Sequence, residues 1–410
     1  MELLKVDTVA AAIGKLRQAA AGFLPQEEET ELSRAHGRIL AETVTAPFDV
    51  PGFDRSTVDG YGVRAADTGG AGESLPCFLT CLGAVEMGQA ADYSMGPGQC
   101  VYVPTGGMLP PGADAVVMVE YCERFGNQVA VSDPVSPGRN LVWRGEDVKK
   151  GQVLLETGRV LRPADLGALA AVGRSRVKVW GRPRLAIFSS GDEVMPLSRP
   201  QLQPGQVYDI NSYALAALAQ QAGMRVTHTA ILPDIEQELR QAFRQALADN
   251  DIVVVSGGSS QGVKDMTERI FDEIAAPGVL THGLAVKPGK PTILAWDESS
   301  RTLLAGLPGH PVSALMVMDG VLLAWWRQIS GQQPPRTLPA RLGQNLAAAA
   351  GKQTWQPVRL RQQEDGQYLA EPIFYRSGLI TALSRADGFF TLNRDSEGLA
   401  AGALVQVRLF

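Results

Sequence analysis

Histidine and cysteine are scarce, four of each in 410 residues. Cys77, Cys81, Cys100 and Cys122 make no C-x-x-C pair and have no histidine at ligand spacing, so a thiolate metal centre is not expected and small buried hydrophobes in a reducing compartment are. His36, His228, His282 and His310 offer no Ser-His-Asp arrangement by spacing. Neither a G-x-x-x-x-G-K-[ST] loop nor a G-x-G-x-x-G turn occurs, which removes the ordinary P-loop and Rossmann readings. There is no basic excess: 38 Lys and Arg stand against 43 Asp and Glu, a net charge of −5, so no global field attracts nucleic acid. No apolar run reaches the roughly 20 residues of a membrane span. The longest, Pro311 to Trp326, is broken by Ser313, Asp319 and Gly320 and predicts a buried helix. The segment Met1 to Asp7 lacks the basic flank and apolar stretch of a secretory signal, and a cytoplasmic location is expected.

What is present is a 45% hydrophobic chain with 44 glycines, long enough for about three domains. Residues 6–22 predict an Ala-rich helix capped by Asp7 or Thr8, and a second short helix is expected near Ser33–Leu40. From 46 to 144, short β-branched runs divided by Gly and Pro predict a mostly β module. Residues 145–180 predict a return to helix, with Pro163 at a helix start and Gly173 at its end. The β module therefore reads as an insertion into a helical domain formed by 1–45 and 145–180. Over 181–330, Val/Ile runs alternate with amphipathic helices, the pattern of a parallel sheet covered on both faces. Residues 331–410 begin Pro334-Pro335, a linker signal, and end in alternating patterns that predict a small β domain.

In open α/β sheets ligands bind beyond the carboxyl ends of the strands. Here those ends carry Ser189-Ser190-Gly191-Asp192-Glu193, Ser256-Gly257-Gly258-Ser259-Ser260-Gln261-Gly262, Val286-Lys287-Pro288-Gly289-Lys290-Pro291 and Gly306-Leu307-Pro308-Gly309-His310-Pro311. Glycines let backbone N–H groups face a ligand, hydroxyls add donors, and Lys287 and Lys290 add positive charge, which together predict phosphate or pyrophosphate binding. Asp192, Glu193, Asp234 and Asp265 would repel that anion unless a divalent cation bridged them. Mg²⁺ is commonly held by one or two carboxylates plus substrate phosphates. A second cluster, Pro51-Gly-Phe-Asp54-Arg-Ser56-Thr-Val-Asp59-Gly-Tyr61, lies in the β insertion with Pro104-Thr105-Gly106-Gly107. The turn Arg144-Gly-Glu146-Asp147 follows it. By residue type alone these read equally as turns or as a polar site.

Together these stretches, with Tyr208-Asp-x-Asn211 and Gly306-Leu-Pro-Gly-x-Pro-Val-Ser313, resemble the molybdopterin molybdenumtransferases, the MoeA proteins and the related gephyrin E domain. The resemblance runs in matching order over almost the whole chain. It implies a multidomain α/β plus β fold: a helical dimerisation domain, an inserted β-rich domain, a three-layer α/β domain binding adenylated molybdopterin, and a C-terminal β-barrel. It also implies a homodimer that inserts molybdate into adenylated molybdopterin, with Mg²⁺-dependent cleavage of the pyrophosphate and release of AMP. Molybdopterin adenylyltransferase and acceptor molybdoenzymes are the further partners it suggests.

Carried over by position, the resemblance makes Asp59, Thr105, Asp147, Glu193 and Asp265 the catalytic candidates, and Glu193, Asp234 and Asp265 the Mg²⁺ ligands. Ser190, Gly191, Asp192, Asp234, Ser256, Gly257, Gly258, Ser259, Lys287, Lys290, Pro308, His310 and Pro311 become the substrate-binding set. Soft dithiolene sulfurs on the substrate would take the molybdenum, so no cysteine ligand is required. Five places depart from the family pattern: Arg55, Ser190, Ile235, Ser259-Ser260-Gln261 and His310. They leave room for a tungstate-preferring form, a paralogue serving one class of molybdoenzyme, or a cofactor-binding delivery protein without turnover; separately, the Ala-rich helices and Trp325-Trp326 allow a scaffold.

Overall fold

The computed structural model describes residues 6–257 and 261–410, the side chains of 261–264 excepted. Helix α1 spans Val9–Ala19, its N-terminus capped by Thr8, whose hydroxyl accepts from the Ala11 amide at 3.1 Å. Asp7 accepts from the Lys15 ammonium at 2.7 Å and from the Thr281 hydroxyl at 2.8 Å. These bonds, and burial of Val9, Ala12, Ile13 and Leu16 in the core of the α/β unit, fasten α1 to the later domain.

The stretches 27–45 and 153–180 hold less helix than their sequence pattern predicts. The Ser33–Leu40 segment forms a single 3₁₀ turn at Leu32–Arg34, after which Ile39 and Leu40 bridge to Val160 and Val179. Helix α2, Pro163–Ala171, starts on Pro163 as expected, and Gly173 follows it at φ +75°. The rest pairs as strands: Glu27–Glu31 with Arg176–Trp180, and Val44–Thr45 with Val153–Leu155. A small core of Leu40, Val44, Leu161, Leu169, Val177 and Val179 holds this unit together. Asp165, 4% exposed, ties it further by accepting from Arg159 and Arg162. Between the two stretches lies the expected β insertion, a six-stranded sheet whose core includes Cys81 and Cys100. All four cysteines are free thiols, and burial pushes Cys122 up to about 12.

The α/β unit is a six-stranded sheet in the order 225–232, 184–190, 252–257, 302–307, 293–297, 277–282. The first four strands run parallel, and the last two run antiparallel to their neighbours, so the sheet is mixed at one side. Alternation within Arg184–Ser190 sends Leu185 and Ile187 to one face, Ala186 and Phe188 to the other. The first face is covered by α3 (Asn211–Gln221), by α1, and by the stretch from Pro311 to Ile329. The second is covered by α4 (Glu236–Asp249) and α5 (Gln261–Ile274). Pro311–Ile329 is the predicted buried helix, built as α6 (Pro311–Val317), a wider π turn over Met318–Leu322, and α7 (Leu323–Ile329). The C-terminal strands 337–342, 353–362, 368–372, 388–392 and 404–409 close on themselves as a five-stranded barrel.

Trp325 and Trp326 are 0% and 1% exposed, and Phe23 stacks on Trp325 with ring centroids 5.5 Å apart. They are core residues here, which takes away the surface that a scaffold role for this pair would use. Trp325→Ala should cost about 3–5 kcal/mol, read as a lower urea midpoint of the α/β unit. A variant that unfolds at the parental midpoint would show that this core is not packed as described.

Candidate active site

The parallel strands deliver their loops to one end of the sheet. Ile293 pairs with Gly306, so the segment preceding Ile293, with Lys287 and Lys290, also meets the sheet at the carboxyl end of 302–307. The predicted loops at 190–193, 234, 287–290 and 308–311 therefore share one edge of the domain. Gly258 and Ser259 lie outside the described residues, as does Ser260.

Three carboxylates crowd the first two strand ends. The Ser190 hydroxyl donates to Asp234 Oδ1 at 3.0 Å, and the Asp234 amide donates to Asp192 Oδ1 at 3.2 Å. The Glu193 carboxylate folds over Gly191, where an added Cβ would stand 2.6 Å from Glu193 Oε2. Burial raises the Asp234 pKa, Asp192 and Glu193 push it the same way, and the Ser190 hydrogen bond opposes them. Asp265 is exposed on α5. Among the described residues no three His, Cys, Asp or Glu side chains converge to hold a metal ion, so Glu193, Asp234 and Asp265 do not form a ligand cluster by themselves. Asp234 is turned to Ser190 while Asp265 stands on an outer helix face. Any cation here would need oxygens from a substrate.

Next to these acids runs a buried polar network; Ser256 and Pro308 belong to the predicted substrate-binding set, whereas Ser189, Asp209, Asn211 and Ser212 do not. Ser189 donates to Asp209 at 2.7 Å, and Asp209 also accepts from the Ser212 amide at the start of α3. The Asn211 amide nitrogen donates to Ser256 Oγ at 2.7 Å and to the Gly309 carbonyl at 2.8 Å, and Ser256 donates to the Pro308 carbonyl at 3.1 Å. Among the described residues Asn211 Oδ1 is buried without a partner. The motif Tyr208-Asp-x-Asn211 was the only signal for Asp209 and Asn211. Through Asn211 and Ser256, the loop at Pro308 and Gly309 is held against the end of strand 252–257.

Lys287 and Lys290 are exposed, and neither makes an ion pair among the described residues. Strand Val286–Lys287 pairs with Gln353 and Thr354 of the barrel strand, so this lysine loop also joins two domains. Pro311 opens α6, and His310 pairs through Nδ1 with the Ser377 hydroxyl at 2.9 Å. That departure residue contacts the C-terminal domain. Of the glycines in the predicted phosphate loops, Gly306 lies within a strand and Gly289 against Val317 and Val286, so packing rather than ligand approach explains both.

The second cluster is also assembled. Strand Arg55–Ser56 pairs with Leu141–Val142, and the Gly106 amide donates to the Ser56 carbonyl. Asp59 Oδ1 accepts from the Thr105 amide at 2.7 Å and from its hydroxyl at 3.0 Å. Asp54 accepts from the Arg144 amide at 2.7 Å and Asp49 from the Arg144 guanidinium at 2.7 Å. The Lys150 amide and then Arg144 hold the Asp49 carboxyl below its usual range. Asp147 is exposed, its amide donating to the Val50 carbonyl. No hydrogen bond or ion pair among the described residues links this cluster to the strand-end loops.

Comparison with known proteins decides the family. Residues 6–173 match the MoeA N-terminal region (domain I and II), 186–328 a probable molybdopterin binding domain, and 339–410 the MoeA C-terminal region (domain IV). The molybdopterin molybdenumtransferase of Haemophilus influenzae is 33% identical over 393 residues, 95% of each chain. The chain belongs to the MoeA family. Two crystal structures of the MoeA protein of Pyrococcus horikoshii superpose with TM-scores of 0.80 and 0.82, at 34% and 29% identity, each covering 99% of this chain and 99% and 100% of theirs. A Mycobacterium tuberculosis relative named molybdopterin molybdenumtransferase 2 is 32% identical, covering 92% of this chain and 93% of its own. The MoeA architecture thus accounts for all the units described above, and no helix of the described residues is long and apolar enough to cross a membrane.

Asp234→Asn tests the crowding of acids. A carboxyl whose pKa is raised on folding is disfavoured in its charged form, so the penalty is absent below the ordinary carboxylate range near pH 3.9 and grows as pH rises through it. The variant should melt above the parent at pH 7 and lose that advantage in acid. Equal melting temperatures at both pH values would contradict it.

Proposed function

We propose that this protein inserts molybdate into adenylated molybdopterin, cleaving the pyrophosphate and releasing AMP. The observation that carries the reading is Asp234, half-buried, hydrogen-bonded by Ser190 and crowded by Asp192 and Glu193 at the strand ends. Such a carboxylate group is unfavourable alone and favourable beside a cation carried in with phosphate oxygens. The relatives named molybdopterin molybdenumtransferase support the same reaction.

Glu193 and Asp234 would hold Mg²⁺ together with pyrophosphate oxygens of the substrate, with Asp265 on the adjoining helix. Mg²⁺ bound there supplies charge neutralisation at the cleaved phosphate. Lys287 and Lys290, free of ion pairs among the described residues, hold the anionic end of the pterin. Gly191 and Gly257 border it, where a Cβ would meet Glu193 or Ser190, and Ser256, Pro308 and Pro311 fix the loop alongside. Asp59, oriented by two donations from Thr105, faces the molybdate-inserting step with Asp147. The protein acts as a homodimer, and the Asp59 cluster of one subunit serves the strand-end site of the other, which agrees with there being no hydrogen bond or ion pair between the two among the described residues of one chain.

Purified protein with adenylated molybdopterin, molybdate and Mg²⁺ should release AMP, and Asp59→Ala or Glu193→Ala should slow release by about a hundredfold or more. Full AMP release by both variants would remove the residue assignment, and no release by the parent with tight pterin binding would favour a delivery protein. Tungstate run in parallel reports the oxyanion preference that Arg55 and Ser190 leave open.

Mixing the two inactive variants tests the dimer. Random re-pairing gives heterodimers with one intact composite site, and about a quarter of parental AMP release should return. No recovery after verified exchange would place both clusters in the service of one subunit.

A further inference from the structure

A cleft of about 600 Å³ lies where the 37–39 loop, the C-terminal end of α3, α7 and the C-terminal domain meet. It is separate in sequence from every strand-end loop. Its walls are mainly apolar, Ile39, Val160, Leu218, Leu323, Ile380 and Leu383 among them, and its charged lining side chains are those of Asp319, Arg327 and Arg408. Asp319, 7% exposed, uses one oxygen, Oδ1, to accept from Arg327 at 3.0 Å and from Arg408 at 2.5 Å. Both arginine side chains are 19% exposed. Asp319 is the only acid paired with either of them among the described residues.

Two guanidinium groups on one carboxylate leave a net positive charge in a mostly apolar enclosure. Among the described residues Arg327 Nη1 is buried with no hydrogen-bond partner, so no neighbouring carbonyl takes up that N–H group. Burial also pulls the Arg408 pKa down, against the pull of Asp319. An under-compensated buried cation is costly, and a second anion entering the cleft would relieve that cost. Size, apolar walls and charge point together to one ligand class.

We propose that this cleft is a binding site for a small organic anion, a single carboxylate or phosphate head on an apolar body. The head sits beside the Arg327–Asp319–Arg408 cluster and the body lies along the Leu218, Leu323 and Leu383 wall. The site joins α7, the π turn carrying Asp319 and barrel strand 404–409, so its occupant ties the barrel to the α/β domain.

Titration calorimetry of the full chain with phenylacetate and with phenyl phosphate tests this, phenol and inorganic phosphate being the controls that lack one half of the ligand. The two organic anions should bind one per chain, and each control at least tenfold more weakly. Arg327→Gln should weaken the anions at least tenfold. Gln333→Glu, at an exposed cleft-lining position, should also weaken them several-fold without affecting the fold, which covers the case where Arg327→Gln unfolds. No binding by either anion at millimolar concentration, phenol binding as tightly as phenylacetate, or anion binding unchanged in Gln333→Glu would each overturn the proposal.

Discussion

A side chain at residue 257 would fall on the Ser190 carbonyl and stand 2.7 Å from its hydroxyl. That close approach of two parallel strand ends is the constraint on which the site geometry rests. With Gly257 flush against it, Ser190 keeps its hydroxyl free to reach across to Asp234, and Asp234 in turn holds the Asp192 loop through its amide. The neighbouring residues use the same closeness differently: Ser189 binds Asp209, and Ser256 binds Asn211 and the Pro308 carbonyl. Three strands and three loops are thus spaced by one missing Cβ. Even a methyl there would require the strands to part, and hydrogen bonds at 2.7 to 3.1 Å do not survive such a shift.

The sheet's mixed direction adds a second consequence. Acids come from loops after parallel strands, whereas Lys287 and Lys290 come from the connection between the antiparallel strands 277–282 and 293–297. The cationic side of the edge therefore hangs on a different part of the fold from the acidic side. It is anchored by Val286–Lys287 pairing with the barrel, and His310 with Ser377 adds a second tie. The C-terminal barrel is consequently coupled to the lysine loop through backbone pairing rather than through side chains alone.

Much of this was legible in the chain. Asp251 to Ser256 announces a strand buried on both faces, and Pro163 and Gly173 mark the ends of a helix because their backbone restrictions are local. The glycine-rich loops announced where the strands end. Strand direction was not legible at 293–297, because an apolar run records that both faces are covered and says nothing of polarity. The pair Glu27–Glu31 with Arg176–Trp180 was hidden for a related reason: Glu-Glu-Glu-Thr-Glu has no apolar alternation, and only its partner strand makes it extended. Asn211 could not be placed from sequence, since its partners Ser256 and Gly309 are 45 and 98 residues away.

The net charge of −5 likewise turns out to say little about the site, and the reason is where charges are cancelled. Arg144, Arg159, Arg184 and Arg240 each sit on a carboxylate within 3.0 Å, so their fields largely vanish beyond the pair. Among the described residues Lys287 and Lys290 have no such partner, and Asp192, Glu193 and Asp234 crowd one another rather than an arginine. Charge of both signs without an ion-pair partner among the described residues therefore meets at this edge of the sheet, where it acts at short range. On the proposed function, an anionic substrate arriving with a divalent cation would satisfy both signs at once, which neither component alone would do. That mutual requirement would make binding of the two cooperative, with each raising the other's affinity by the same factor.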